Sequence, residues 1–444
     1  MSTGGSGTVK AVTVSRPSQL RGTISPPGDK SISHRAAMLN AIAVGDARIT
    51  NFSSGEDCTS TVGILRALGV DIERSPGLDG LGDSLVVRGV GMNGLTEAAD
   101  ILDTGNSGTT TRLMSGILAG RDFQSILNGD ESIRSRPMGR VIDPLRQMGA
   151  RIFARDDGRL APIVFHGGEL HGIDFSQPVA SAQVKSCLLF AGMRAEGTTT
   201  VRSPAPSRDH SERMLRAMGA PVVEDGPDVS ITSCDLSSVD VDIPGDISSA
   251  AFWLVAGITH PDAKITVRNV GLNPTRTGLL TVLEQMGADI QVVNERDSAG
   301  EPVGDLIARS SRLRGVHIGG DLIPSLIDEV PVIAVAAALA EGETVISEAE
   351  ELRVKESDRI EATVAWLRAA GGEVEDRPDG MTISGVKTLH GVTADSYGDH
   401  RIAMALAIAG LVAEGEVNIE NASAADISYP TYWRDLESIA GVVG

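Results

Sequence analysis

Residues 30–35 read Lys-Ser-Ile-Ser-His-Arg, two cations and three hydrogen-bonding side chains in a row of six. On a helix, Ser31, His34 and Arg35 fall at i, i+3 and i+4 and share a face. Lys30 and Arg35 at a helix start suit a bound phosphate or carboxylate, the arginine through its planar fork. Taken alone, the hexapeptide reads equally well as a solvated basic turn. Residues 105–112, GNSGTTTR, combine two glycines with hydroxyls, so backbone N–H groups can approach an anion closely. They also read as a C-cap and turn before a Thr-rich helix. Arg134 and Arg136 stand in SIRSRPMGR, and either could be a plain surface ion pair. In the second half, Asp328 and Glu329 lie at the mouth of an apolar helix. RVKESDR (353–359) and Asp399-His400-Arg401 follow. A carboxylate among cations in an enclosed place can give or take a proton, although RVKESDR by itself reads as an exposed charged helix start.

Placement sets these motifs apart from ordinary charged turns. A phrase of leucine, two residues, an apolar residue or alanine, then glycine and a short apolar run recurs through the chain. It begins at Leu65, Leu145, Leu215, Leu283 and Leu367 and, more weakly, at Leu436, every 68 to 84 residues. Each copy predicts the end of an amphipathic helix, a glycine cap and entry into a strand. Each unit also holds a second helix with a polar, Gly/Ser/Asp-rich opening and a small apolar body. The openings are PPGDKSISHR, DTGNSGTTTR, PVASAQVKS, IPGDISSA, PSLIDEVP and SYGDHRIA. One such opening is simple capping. Six of them, two rich in Lys, Arg or His, predict helix N-termini converging where N–H groups and helix dipoles favour anions. The expected fold is α/β, two three-unit domains whose helix starts face each other across a cleft. The break is expected near residues 241–245. AVTVSRPSQLRGTI (11–24) reads as a strand of the second domain.

Composition narrows the partners. The 444 residues carry 59 acids against 39 bases, a formal charge of −20. Nucleic acid and anionic membrane both call for a broad basic face, so neither is the expected partner, whereas small anions need only a local cluster. Aromatics are only 3%, so aliphatic side chains must fill the cores. The three cysteines are widely spaced, and the eight histidines form no HxxxH or HExxH pair. A disulfide framework or zinc site is therefore not expected, and a reducing cytoplasm is. The opening MSTGGSGTVK lacks the apolar core of a secretory signal. It reads as a frayed terminus, with a transit-like composition as the alternative.

These residues resemble the 5-enolpyruvylshikimate-3-phosphate synthases, from Leu20 nearly to the end of the chain. PPGDKSISHR, LDTGNSGTTTR, RPMGRVIDPL, ASAQVKS, SRDHSERML, RVKESDR and GDHRIAMA occur in the family's order. The wording is closer to the bacterial class II branch. The resemblance implies two inverse α/β domains, each of three βαβαββ repeats, around an interdomain cleft. Residues 25–242 would form the first domain and 243–444 the second, joined there by residues 1–24. It implies transfer of an enolpyruvyl group from phosphoenolpyruvate to the 5-hydroxyl of shikimate 3-phosphate, without metal or organic cofactor. Shikimate 3-phosphate would lie against Lys30, Ser31, Arg35, Ser181, Ala182, Gln183, Arg208, Asp328 and Lys355. Phosphoenolpyruvate would meet Lys30, Asn106, Gly108, Arg136, Gln183, Glu356, Arg359, His400 and Arg401. Asp328 and Glu356 become the candidate proton-transfer acids, with Lys30 able to share either duty.

There are departures. Class I members carry a lysine before the aromatic-proline pair near the C-terminus, where this chain has Ile427-Ser428 before Tyr429-Pro430. Glyphosate-insensitive class II members often carry alanine at the place of Gly108, so the resemblance implies a glyphosate-sensitive enzyme. The related transferase acting on UDP-N-acetylglucosamine usually has a loop cysteine and a Lys-Asn start. Here residues 112–136 hold no cysteine, and serine follows Lys30. A non-catalytic binding module would be marked by loss of Asp328 or Glu356, and both are present. An RNA-acting relative is disfavoured by the charge. A monomer is expected.

Overall fold

In a computed structural model describing residues 11–77 and 82–441, each leucine–glycine phrase closes a helix. These helices are Glu56–Ala67, Gly139–Gln147, His210–Ala217, Gly278–Gln285, Arg359–Ala369 and Tyr432–Ala440. The glycines that follow, Gly69, Gly149, Gly219, Gly287, Gly371 and Gly441, have φ between 64° and 102°. A Cβ makes that left-handed conformation costly, which is why glycine recurs there. The opening MSTGGSGTVK lies outside the described residues.

The helices with polar openings are Lys30–Ala41, Gly108–Leu118, Ala182–Gly192, Ile247–Thr259, Val330–Ala338 and His400–Gly410. Side-chain oxygens of Asp29, Ser107, Ser181, Asp246 and Asp399 accept from a backbone N–H in the first turn of five of them. The Val330 helix differs: a short helical turn Ile323–Leu326 and a 3-10 turn Ile327–Glu329 precede it, and no side chain caps it.

Each of these helices lies beside its own small sheet; among the described residues five sheets share one four-stranded pattern and the last has three strands. In the second repeat, Leu102–Asp103 runs parallel to Ser125–Asn128, which is antiparallel to Leu160–Phe165, with Ile152–Ala154 outside it. In chain order that repeat is β, α, β, α, β, β. The third repeat copies it with Asp174–Ser176, Thr198–Arg202, Asp228–Thr232 and Val223–Asp225. The fold is thus mixed α/β, built of six repeats, and it contains an exchange. Leu20–Ile24, just ahead of the Lys30 helix, pairs in parallel with Ala263–Gly271. Val241–Asp242, just ahead of the Ile247 helix, pairs in parallel with Val44–Phe52. Ala11–Val14 pairs antiparallel with Glu414–Glu420 and completes the last sheet. The stretch 11–24, expected to be one strand, is therefore two. Pro17 lies between them with no N–H to donate, and the two strands join different sheets.

The chain divides into two compact units. The N-terminal unit holds Pro27–Pro244 with Asp297–Glu301. The C-terminal unit holds residues 11–26, Gly245–Arg296 and residues 302–441. Each has its own aliphatic core. In the C-terminal unit the Ile247, Val330 and His400 helices pack on one another, and all nine residues of Val330–Ala338 are buried. In the N-terminal unit the Gly108 helix packs on both the Lys30 and Ala182 helices. Among the described residues no helix is long and apolar enough to cross a membrane.

Close approach of two helices depends on Gly116, where a Cβ would lie 2.1 Å from the Cys187 carbonyl oxygen. A backbone atom cannot step aside as a side-chain tip can. Gly116→Ala is expected to lower unfolding stability by about 1–3 kcal/mol, the usual range for overpacking, read as a lower urea midpoint.

Candidate active site

In the N-terminal unit the helix starts gather cations whose partners are mostly neutral. Arg35 is buried, yet it meets no carboxylate. Its Nε donates to Ser211 Oγ at 2.7 Å, one terminal nitrogen to Ser186 Oγ at 2.9 Å, and the other to the Ser31 carbonyl at 2.9 Å. Arg112, also buried, donates to Gln183 Oε1 at 2.6 Å, and Gln183 in turn donates to Thr109 Oγ1 at 3.1 Å. Arg136 donates to Asn106 Oδ1 at 3.1 Å and Ser132 Oγ at 3.0 Å. Burial, and then the charges of Arg140 and Arg136, push the Arg112 guanidinium down to about 10. A guanidinium that hydrogen-bonds only to neutral oxygens keeps its full charge for a ligand. Gly108 sits between two of these arginines: a Cβ there would lie 2.9 Å from Arg112 Nη1 and 3.2 Å from Arg136 Nη1.

Lys30 is exposed, and its ammonium lies 3.0 Å from Asp57 Oδ2. Asp57 is held below its ordinary value: burial raises it, but the Lys30 charge and hydrogen bond outweigh that. Ser181 caps its helix, Ala182 follows as the first helical residue, and Arg208 stands in the loop before the His210 helix. The sequence put Ser31, His34 and Arg35 on one face, but His34 turns inward. Its Nδ1 lies 2.7 Å from Thr61 Oγ1, which lies 2.8 Å from Thr110 Oγ1, which donates to the cap Ser107 Oγ at 2.7 Å. This buried chain of hydrogen bonds ties the Lys30 helix to the start of the Gly108 helix.

The C-terminal unit treats its buried cation differently. Arg359 is surrounded by carboxylates: Nη1 is 3.2 Å from Asp328 Oδ1, Nη2 is 2.7 Å from Glu356 Oε2, and Nε is 2.8 Å from Asp399 Oδ2. Burial pushes the Asp399 carboxyl up, but the hydrogen bond and charge of Arg359 hold it below its ordinary value. Asp399 also caps the His400 helix through the Arg401 N–H at 2.8 Å. Lys355 donates to Glu351 at 2.7 Å and lies 4.0 Å from Asp328. Arg401 donates to the Ser248 carbonyl at 3.0 Å. The Ser248 hydroxyl donates to Glu329 and accepts from Arg276 at 2.8 Å. Burial raises the Glu329 carboxyl above its ordinary value, against the opposing charges of Arg276 and Arg401.

Of the residues singled out from sequence, the structure joins Gln183 to Arg112 and Asn106 to Arg136, with Gly108 between the two arginines. It joins Asp328, Glu356 and Arg359 directly, with Lys355 beside them, and ties His400 and Arg401 to the same group through Asp399. Arg112, Ser248 and Arg276 were not among the expected site residues, and Glu329 was singled out at its helix mouth without a substrate role. Arg112 stands at the end of GNSGTTTR, so the motif itself carried that signal. No short motif marks Arg276. Among the described residues no group of three or more His, Cys, Asp or Glu side chains is placed to hold a metal ion.

Comparison with known proteins matches the chain over nearly its whole length. The family model described as EPSP synthase (3-phosphoshikimate 1-carboxyvinyltransferase) matches residues 14–436. The chain belongs to the EPSP synthase family. A relative from Herpetosiphon aurantiacus, named 3-phosphoshikimate 1-carboxyvinyltransferase, is 52% identical over 96% of this chain and 99% of its own. One from Synechococcus sp., with the same name, is 54% identical over 96% of each. A solved EPSP synthase from Acinetobacter baumannii superposes with a TM-score of 0.92 at 40% identity, covering 98% of this chain and 99% of its own.

Burial pushes His34 from 6.5 down to about 3. The folded protein holds it neutral while the unfolded chain takes up a proton, so its stabilising contribution is complete above about 6.5 and is lost as pH falls toward about 3. Over that window the loss is about 1.4 kcal/mol per pH unit. His34→Asn, which keeps a hydrogen-bonding side chain without the titration, is expected to flatten the acid limb of a stability-versus-pH curve from chemical denaturation.

Proposed function

We propose a division of labour for the reaction of this chain. The chain is a 3-phosphoshikimate 1-carboxyvinyltransferase: it transfers the enolpyruvyl group of phosphoenolpyruvate to the 5-hydroxyl of shikimate 3-phosphate and releases phosphate. The observation that carries the division is the contrast between the two units. One presents guanidiniums backed by neutral oxygens, and the other clusters carboxylates on a single guanidinium.

In this reading the N-terminal unit receives the anions. Shikimate 3-phosphate lies against Lys30, Ser31, Arg35, Ser181, Ala182, Gln183 and Arg208. Phosphoenolpyruvate lies against Lys30, Asn106, Gly108, Arg136 and Gln183, to which the geometry adds Arg112. The C-terminal unit supplies Asp328 and Lys355 toward the first substrate and Glu356, Arg359, His400 and Arg401 toward the second. Asp328 takes the proton of the 5-hydroxyl as its oxygen adds to C2, and Glu356 protonates C3. Reversal of the C3 protonation then expels phosphate from the tetrahedral adduct. Arg359 touches both carboxylates and so fixes their spacing, which is the positioning this addition needs. Lys30, beside Asp57, balances the charge that builds up on the adduct.

The compact units support domain boundaries at 25–242 and 243–444 with residues 1–24 in the second domain, apart from the short segment Asp297–Glu301. The oligomeric state proposed is a monomer. Cys58, Cys187 and Cys234 are unpaired, which suits a cytoplasmic setting.

The deciding experiment is phosphate release by purified protein with both substrates in EDTA, beside a UDP-N-acetylglucosamine control. Release is expected only with shikimate 3-phosphate, and Lys30→Met should cut kcat/KM by about a hundredfold or more. Activity with the nucleotide sugar instead would replace this reading by its nearest rival.

Glyphosate is proposed as an inhibitor, because Gly108 leaves room between Arg112 and Arg136. Gly108→Ala must displace those guanidiniums. It should raise the inhibition constant relative to the KM for phosphoenolpyruvate by about tenfold or more, equivalent to about 1.4 kcal/mol. A wild-type inhibition constant already far above that KM would refute the proposal.

A further inference from the structure

Lys185 has no part in the reaction described so far, and its position is costly. It lies in the first turns of the Ala182–Gly192 helix, where the helix dipole disfavours a cation. Its side chain is 4% exposed, so it also loses hydration. The compensation is Glu212, 1% exposed, whose Oε1 lies 2.5 Å from the Lys185 ammonium. Glu212 sits in the first turn of the His210–Ala217 helix, where a carboxylate is favoured. A pair like this is no better for stability than a well-packed apolar pair of the same volume, so its placement needs another reason.

Two neighbours of the pair supply one. The Lys185 ammonium reaches the Ser207 carbonyl at 3.4 Å, the residue immediately before Arg208. Ser186 and Ser211, the next residue on from Lys185 and the one before Glu212, lie 2.6 Å apart through their hydroxyls, and both accept from Arg35. Burial lowers the Arg35 guanidinium, and the largest charge opposing that effect is Glu212. Glu212 therefore acts on two buried cations at once, pairing with Lys185 and opposing the effect of burial on Arg35.

We infer that Lys185 and Glu212 are positioning residues for shikimate 3-phosphate, holding the Ser207–Arg208 backbone and the Arg35 guanidinium in place without touching the ligand. This rests on the reading that shikimate 3-phosphate lies against Arg35 and Arg208. Lys185 anchors the loop from below, and the Glu212 charge offsets the burial of Arg35, whose plane the two serine hydroxyls fix. The pair is expected to act on one substrate, since among the described residues no hydrogen bond or ion pair joins it to Asn106, Arg112 or Arg136.

Steady-state kinetics of the full chain test this. Lys185→Met leaves Glu212 buried without a partner, so Lys185→Met/Glu212→Gln, which buries no net charge, is the decisive variant. It should raise the KM for shikimate 3-phosphate about tenfold, with kcat and the KM for phosphoenolpyruvate within about threefold of wild type. Lys185→Arg, which keeps the charge, should recover most of the loss. A merely structural pair would lower the melting temperature and leave the ratio of the two KM values unchanged. If the double variant does not fold, Glu212→Asp shortens the carboxylate by one methylene and should show the same selective rise. A folded variant with wild-type KM for shikimate 3-phosphate, or with both KM values raised equally, overturns the inference. Wild-type protein that releases no phosphate from shikimate 3-phosphate would instead overturn the reaction itself, and that control runs in the same assay.

Discussion

A buried guanidinium must place its five N–H donors on acceptors, and the kind of acceptor decides what the charge can still do. The chain answers this requirement in two ways. Buried Arg35 and Arg112 and part-buried Arg136 are met by hydroxyls, amide oxygens and a backbone carbonyl, with the Arg112 Nε left without an acceptor, so their charge is left unneutralised. Arg359 is met by Asp328, Glu356 and Asp399, so its charge is spread over acids that it holds in fixed relation. The first arrangement attracts anions. The second steadies groups able to move protons.

Both arrangements stand on the starts of apolar helices. The Gly108, Ala182 and His400 helices bury nearly all of their length, leaving little but the first turn for polar work. A cap there serves twice. Ser107 closes the Gly108 helix and ends the hydrogen-bond chain from His34, while Asp399 closes the His400 helix and grips Arg359. The overall charge of −20 is no obstacle to anion binding, because these local placements set the field at the helix starts.

The repeat pattern was legible in sequence because it is carried by local rules. A leucine-to-glycine phrase marks a helix end wherever it falls, and all six such glycines take a positive φ. The polar openings marked the helix starts for the same reason. The break at Pro17 could have been suspected, but the separate sheets joined by Ala11–Val14 and Leu20–Ile24 could not. Their partners lie hundreds of residues away, and alternation alone names no partner. The site follows the same division. Arg359 with Glu356 sits inside one motif, whereas Ser248 with Glu329, 81 residues apart, is a contact that only the fold makes. The Lys30 helix forms as the spacing predicts, but the burial of His34 against Thr61 is a contact that spacing alone could not show.

The exchange of strands gives the chain a schedule. Leu20–Ile24 leaves the ribosome early, but its partner Ala263–Gly271 does not exist until everything between them has been made. At about 5–20 residues per second, that is a wait of roughly ten to fifty seconds. During it the strands of the N-terminal unit's sheets are all made, Val241–Asp242 last. Leu20 and Ile24, both destined for burial, stay without a sheet through that interval. Ala11–Val14 waits longer still, until Glu414–Glu420 appears. The earliest residues made are thus among the last to find their places, and an apolar strand left open for so long is one that chaperones would be expected to guard.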